Sequence, residues 1–194
     1  METVLSIGLG LGLSAACGFR VFVPLLALGI AAATGQVTLA GGFEWLGSVA
    51  ALIILSVATV AEIAAYYVPW VDNLLDTLAS PVAVLAGVVV TASLMTDVNP
   101  AFQWTTAVIG GGGVAGLGQL TTVTLRAASS AMTAGFGNPF LASAELGAAV
   151  GLSLLTLMLP LVGLLAVAVL AVVLAVLLNR RHASRATKGS LTAA

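Results

Sequence analysis

Ser14-Ala15-Ala16-Cys17-Gly18-Phe19-Arg20-Val21-Phe22-Val23-Pro24-Leu25-Leu26-Ala27-Leu28-Gly29 is the stretch on which the reading turns. It belongs to an apolar block covering 3–34. As a straight helix that block would be roughly 48 Å long at about 1.5 Å per residue. The hydrocarbon core of a bilayer is only about 30 Å thick. The block must tilt, protrude or break, and Gly18 and Pro24 bracket Arg20 where a break would fall. A guanidinium at membrane depth costs several kcal/mol, so it must face partners or water and not lipid.

The composition supports a membrane setting. Only 7% of the 194 residues are charged and 60% are hydrophobic, with a mean hydropathy of +1.18. A soluble domain carries about 25% charged residues, so a free-standing soluble domain is excluded. Disorder needs the opposite composition. At about 30 residues per span and loop, the length fits roughly six crossings in one all-α polytopic bundle. Cys17 is the only cysteine and His182 the only histidine. No disulfide, His/Cys metal site, or Ser-His-Asp or Cys-His catalytic pair is expected, and no cofactor. Met1-Glu2-Thr3 lacks the basic start of an ordinary signal peptide.

Six blocks can be read, at 3–34, 44–68, 80–96, 101–136, 139–159 and 161–179. Gly137-Asn138-Pro139 reads as a helix stop, an N-cap Asn and an N1 Pro, and Ser80-Pro81 as a similar start. Pro160 marks a weak boundary, so 139–179 is either two spans or one kinked segment. The bundle is expected over 1–179, followed by a basic tail at 180–194 containing Arg180, Arg181, Arg185 and Lys188. The positive-inside rule puts that tail in the cytoplasm, and six crossings put the N-terminus there too. A short basic tail does not suit nucleic-acid binding. Trp45 and Trp104 are expected in an outer aromatic belt, with Tyr66, Tyr67 and Trp70 in an inner one.

An internal repeat is visible. Gly10-Leu11-Gly12 precedes Arg20 as Gly116-Leu117-Gly118 precedes Arg126, and Gly29 and Gly135 follow at matching distances. Glu44-Trp45-Leu46-Gly47 resembles Ala144-Glu145-Leu146-Gly147. Halves at about 3–96 and 101–179 would form a three-plus-three inverted repeat, with first and fourth elements antiparallel and each broken or re-entrant.

Arg20 and Arg126 are the candidate substrate-binding residues, because a guanidinium fork binds phosphate or carboxylate bidentately and keeps its charge. Two other readings stay open: pairing with carboxylates or capping of a broken helix, and snorkelling to the interface. Glu62, Asp72 and Asp76, with Asn73, are candidates for a coupling ion or proton. Asp72 and Asp76, four residues apart, equally suit a solvated helix face. Glu44 and Glu145 are secondary candidates, equally explained by helix N-termini.

The stretch 14–29 and the stretch Tyr66-Tyr67-Val68-Pro69-Trp70-Val71-Asp72-Asn73-Leu74-Leu75-Asp76-Thr77 together resemble the bacterial membrane family catalogued as domain of unknown function 4126. The resemblance implies a small multi-pass protein of the bacterial inner membrane and brings no established activity. Arg20-Val21-Phe22-Val23-Pro24 is also similar to the arginine-proline segment of the DedA membrane family. That likeness implies re-entrant hairpins and a polyprenyl-phosphate-like lipid substrate. The expected function is a transporter or flippase for a small or lipid-linked anion, coupled to protons or a cation. A passive channel formed by a homodimer and a non-transporting scaffold subunit are the alternatives. Membrane lipids are the expected surroundings, and an enzyme is the least supported class.

Overall fold

The computed structural model describes residues 2–68, 71–161, 163, 165, 168, 169 and 172, without the side chains of residues 2 and 71–77. Within these residues the chain is all helical. The helices are α1 (Glu2–Cys17), α2 (Phe22–Ala33), α3 (Val49–Ala65), α4 (Val71–Leu94), α5 (Pro100–Thr105), α6 (Gly113–Thr133) and α7 (Asn138–Met158). A 3-10 turn, Glu44–Gly47, precedes α3, and a π-helical stretch, Thr106–Gly112, joins α5 to α6 without interruption. The helices covering Pro100–Thr133 and Asn138–Met158 are long and apolar enough to cross a membrane. Trp70 and the basic tail lie outside the described residues.

Leu13, Leu28, Leu46 and Val90 belong to an apolar core, but on α3 and α7 the burial pattern is inverted relative to a water-soluble bundle. The buried face of α3 carries Ala51, Leu55, Thr59 and Glu62, while Val49, Ile53, Ile54, Val57 and Val60 are exposed. On α7 the buried face is Asn138, Ala142, Glu145, Ala149, Ser153 and Thr156, and Phe140, Leu154, Leu155 and Met158 face outward. Large apolar side chains outside and polar ones inside suit an apolar surrounding medium.

The first block breaks where expected. Arg20 N donates to the Ala16 carbonyl (3.1 Å), closing α1, and α2 starts at Phe22. Pro24 falls within the first turn of α2, where a missing N–H costs nothing. Direction follows from the contacts. Gly10 lies against Thr91, and Ser14 Oγ donates to the Gly87 carbonyl (2.9 Å), so α1 runs antiparallel to α4. Gly29 lies against Leu46, and Ala40 N donates to the Ser93 carbonyl (2.7 Å), so α2 leads back toward the end of α4 where α1 began. The pair α1–α2 is therefore a hairpin with Arg20 at its tip.

Several expectations fail. The fourth block is not broken at its arginine. Arg126 sits inside unbroken α6, and the only irregularity is the π-helical stretch at the glycine run. Glycine there lets Gly111 meet the Gly87 carbonyl and Thr91 side chain, while Gly112 and Gly116 meet Val84. These contacts make α6 antiparallel to α4. Since α1 is also antiparallel to α4, α1 and α6 run in the same sense, and not in the opposite senses of an inverted repeat. Pro81 does not open a helix either. It lies within α4, which starts ten residues earlier at Val71. Such a proline is tolerated when neighbouring groups take up the freed carbonyl. Gly137, and not Asn138, is the N-cap of α7. Asn138 is buried and its Nδ2 donates to Ser130 Oγ (3.0 Å), clipping the α6–α7 turn. At Pro160 the expected boundary is present: Leu159 leaves the helical region and ends α7.

Helix approach in this fold depends on absent side chains. A Cβ on Gly18 would lie 2.7 Å from Gly118 Cα and 2.8 Å from the Ala115 carbonyl oxygen, and one on Gly87 would lie 2.6 Å from the Gly111 carbonyl oxygen. Gly147, by contrast, has open space around it. Gly18→Val and Gly87→Val are expected to lose ~1–3 kcal/mol by overpacking, read as a lower thermal midpoint in detergent. Gly147→Ala is expected to gain up to about 1 kcal/mol from helix propensity alone.

Candidate functional site

The hairpin tip leaves the first N–H groups of α2 without carbonyl partners, and a carboxylate from another helix takes them. Val21 N donates to Glu62 Oε1 (2.7 Å) and Phe22 N to Oε2 (3.1 Å). Glu62 lies on α3, one turn before the helix ends at Ala65. It thus caps α2 from outside, which suits its charge at a helix N-terminus. Both of its oxygens serve the backbone, so Glu62 is a positioning group for the tip.

Beside that cap, three elements bring charge to one aromatic ring. Tyr66, just after α3, is 4% exposed. The guanidinium carbon of Arg20 lies 3.8 Å from its ring centroid, and that of Arg126 lies 4.2 Å from it. Both distances are well within the reach of a cation–π interaction. The carboxylate of Glu145, from α7, meets both cations. Arg126 Nε donates to Oε1 (3.1 Å) and its Nη2 to Oε2, a bidentate pair. Arg20 Nη2 lies 3.7 Å from the same Oε2 and donates to the Ala142 carbonyl (2.9 Å). Arg20 is 1% exposed and Arg126 2%. Among the described residues, Nε and Nη1 of Arg20 have no hydrogen-bond partner.

The two arginines therefore meet, 106 residues apart in sequence, and neither snorkels outward. Arg126 and Glu145 are each seven residues from the α6–α7 turn, about 10 Å along their helices. Glu145 is two turns into α7, so its burial and pairing, and not a helix N-terminus, explain it. Glu44 is different: it is exposed in the 3-10 turn, where Oε2 accepts from Gly42 N (2.8 Å). The sequence match between the two glutamates does not bring them together. Asp72, Asn73 and Asp76 lie in the first turns of α4, and their side chains are outside the described residues. Among the described residues no cluster of three or more His, Cys, Asp or Glu suits a metal ion.

Sequence reasoning missed Tyr66, which was assigned to an aromatic belt. Its neighbour Tyr67 fits that description better, being exposed, with its hydroxyl 2.8 Å from Ser143 Oγ. Trp45 and Trp104 are both exposed, and Phe43 joins Trp104 in a tilted ring pair (6.3 Å), so these aromatics do share one end of the bundle.

Glu62→Ala would leave two buried N–H groups unpaired, at about 1–3 kcal/mol each. The expected result is a marked loss of thermal stability, with faster proteolysis at the hairpin tip. Glu62→Gln keeps one carbonyl acceptor and should lose less.

Searches found no match among curated proteins and none among solved structures. Nothing in the comparisons extends the short likeness to the DedA family. Residues 7–180 match the family described as Domain of unknown function (DUF4126). The chain belongs to that family.

Proposed function

We propose that this protein is a multi-pass membrane protein that moves an anion across the bacterial cytoplasmic membrane, and that Arg20 and Arg126 bind the anion. The carrying observation is the pair of buried guanidinium groups on one Tyr66 ring, with two nitrogens of Arg20 lacking partners among the described residues. A buried donor without an acceptor costs about 1–3 kcal/mol, and an incoming oxyanion removes that cost. The apolar exterior supports a lipid setting, and the two membrane-length helices agree with it.

The hairpin supports a transport reading over a plain bundle. α1 and α2 have 16 and 12 residues, about 24 and 18 Å of helix. Each is shorter than the roughly 30 Å hydrocarbon core. A re-entrant hairpin of this kind ends inside the membrane and exposes its tip to a buried site. The substrate class is a small oxyanion or the phosphate of a lipid carrier, since both present the same oxygens to guanidinium.

A second reading is favoured by one contact: Glu145 already pairs with Arg126, as a lock between α6 and α7 requires. Reconstituted liposomes separate the two. Flux of radiolabelled sulfate or phosphate, and scrambling of a fluorescent phospholipid, are measured for wild type, Arg20→Ala and Arg126→Ala. The transport reading expects a loss of about tenfold or more, the scale of one buried charge-assisted hydrogen bond, in variants that stay folded in detergent. Wild-type flux in both variants overturns it. Variants that unfold, beside a wild type that moves none of the probes, favour the lock. Flux that does not saturate favours a channel formed by an oligomer over a carrier.

A further inference from the structure

We propose that Glu145 is a tethered occupant of the anion site, which the transported anion displaces. The inference rests on the anion-transport reading and names the competitor that the anion must remove.

The geometry is that of a ligand complex made within the chain. An anion held by two arginines should accept a bidentate pair from one and contact the other, with an aromatic ring closing the side. The carboxylate of Glu145 does this: it takes Nε and Nη2 of Arg126 and approaches Nη2 of Arg20, beside Tyr66. Glu62 is the other buried carboxylate nearby, and its oxygens are both held by Val21 N and Phe22 N. It can be displaced only by releasing the hairpin tip. Glu145 can be displaced by releasing only side-chain donors, which the arriving anion then accepts.

The exchange is one of acceptors. The Arg126–Glu145 hydrogen bonds break, and the arriving anion accepts the freed N–H groups of Arg126 and reaches Nη2 of Arg20. The charged and titratable groups facing Glu145 are Arg126 from α6, Arg20 from the hairpin tip and Tyr66 after α3, with Glu62 behind the tip. The side chains of Asp72 and Asp76 on α4 are outside the described residues.

The full-length protein in detergent is titrated calorimetrically with sulfate, and in parallel with dihexanoyl phosphatidic acid, at one neutral pH. Glu145→Gln removes the competing charge and should bind at least about tenfold more tightly than wild type. Glu145→Ala serves if the glutamine variant misfolds. Glu62→Gln leaves the competitor in place and should show no such gain. A response to sulfate alone assigns a soluble oxyanion, and a response to the short-chain lipid alone assigns a headgroup; either supports the proposal. If Arg126→Ala loses binding while Glu145→Gln keeps wild-type affinity, this inference fails and the transport reading stands. If wild type and Glu145→Gln bind neither probe, both fail together.

Discussion

Two guanidinium groups share one buried tyrosine ring and one carboxylate, and the rest of the site is arranged to make that possible. Cations this close repel, and each loses its water on burial. Tyr66 supplies a negative ring face to both, Glu145 supplies charge to both, and the Ala142 carbonyl takes one donor. These groups come from the ends or middles of different helices. The α1–α2 hairpin must stop at the level of Tyr66, α3 must end there, and α6 and α7 must pass two turns beyond it.

The stopping point of the hairpin is set by Glu62. Without a carboxylate at that level, the first N–H groups of α2 would be buried and unpaired, and the tip could not sit inside the bundle. The arginine and the cap are coupled in this way: Arg20 is placed by the chain reversal that Glu62 makes affordable. The same residue type thus plays two parts in one cluster. Glu62 serves backbone donors, and Glu145 serves side chains.

What was legible in the sequence was what local chemistry dictates. The apolar composition gave the helical class, and the length of the first block with Gly18, Arg20 and Pro24 gave its break. Pro160 marked a boundary, and Leu159 does leave the helical region there. Partners distant in sequence were not legible. Nothing near Glu62 says that its oxygens reach residues 21 and 22. Tyr66 and Tyr67 are adjacent and alike in sequence, yet one is buried against two cations and the other is exposed. Pro81 and the glycine run at 110–113 misled for a related reason. Both are helix breakers in water, but in this bundle the neighbouring helices hold them in helical form. The matched glycines of the supposed repeat meet different neighbours: Gly10 lies against Thr91, Gly12 against Thr156, and Gly118 against Gly18.

That glycine contact also bears on why the charges are present at all. In an apolar medium, helices associate through close van der Waals packing and small residues. Gly10, Gly18, Gly87, Gly111 and Gly118 provide it for α1, α4 and α6, and Gly12 meets Thr156 to bring in α7. The bundle thus has a means of cohesion that does not involve charge. A buried ion pair is a poor added lock, since replacing such a pair by apolar groups is often neutral or stabilising. An arginine held only for packing would also be expected to have all its donors satisfied, as the pairing of Arg126 with Glu145 begins to do. Arg20 departs from that pattern, with two buried nitrogens lacking acceptors among the described residues. The cost of keeping Arg20 in that state is what the proposed anion, coming and going, would offset.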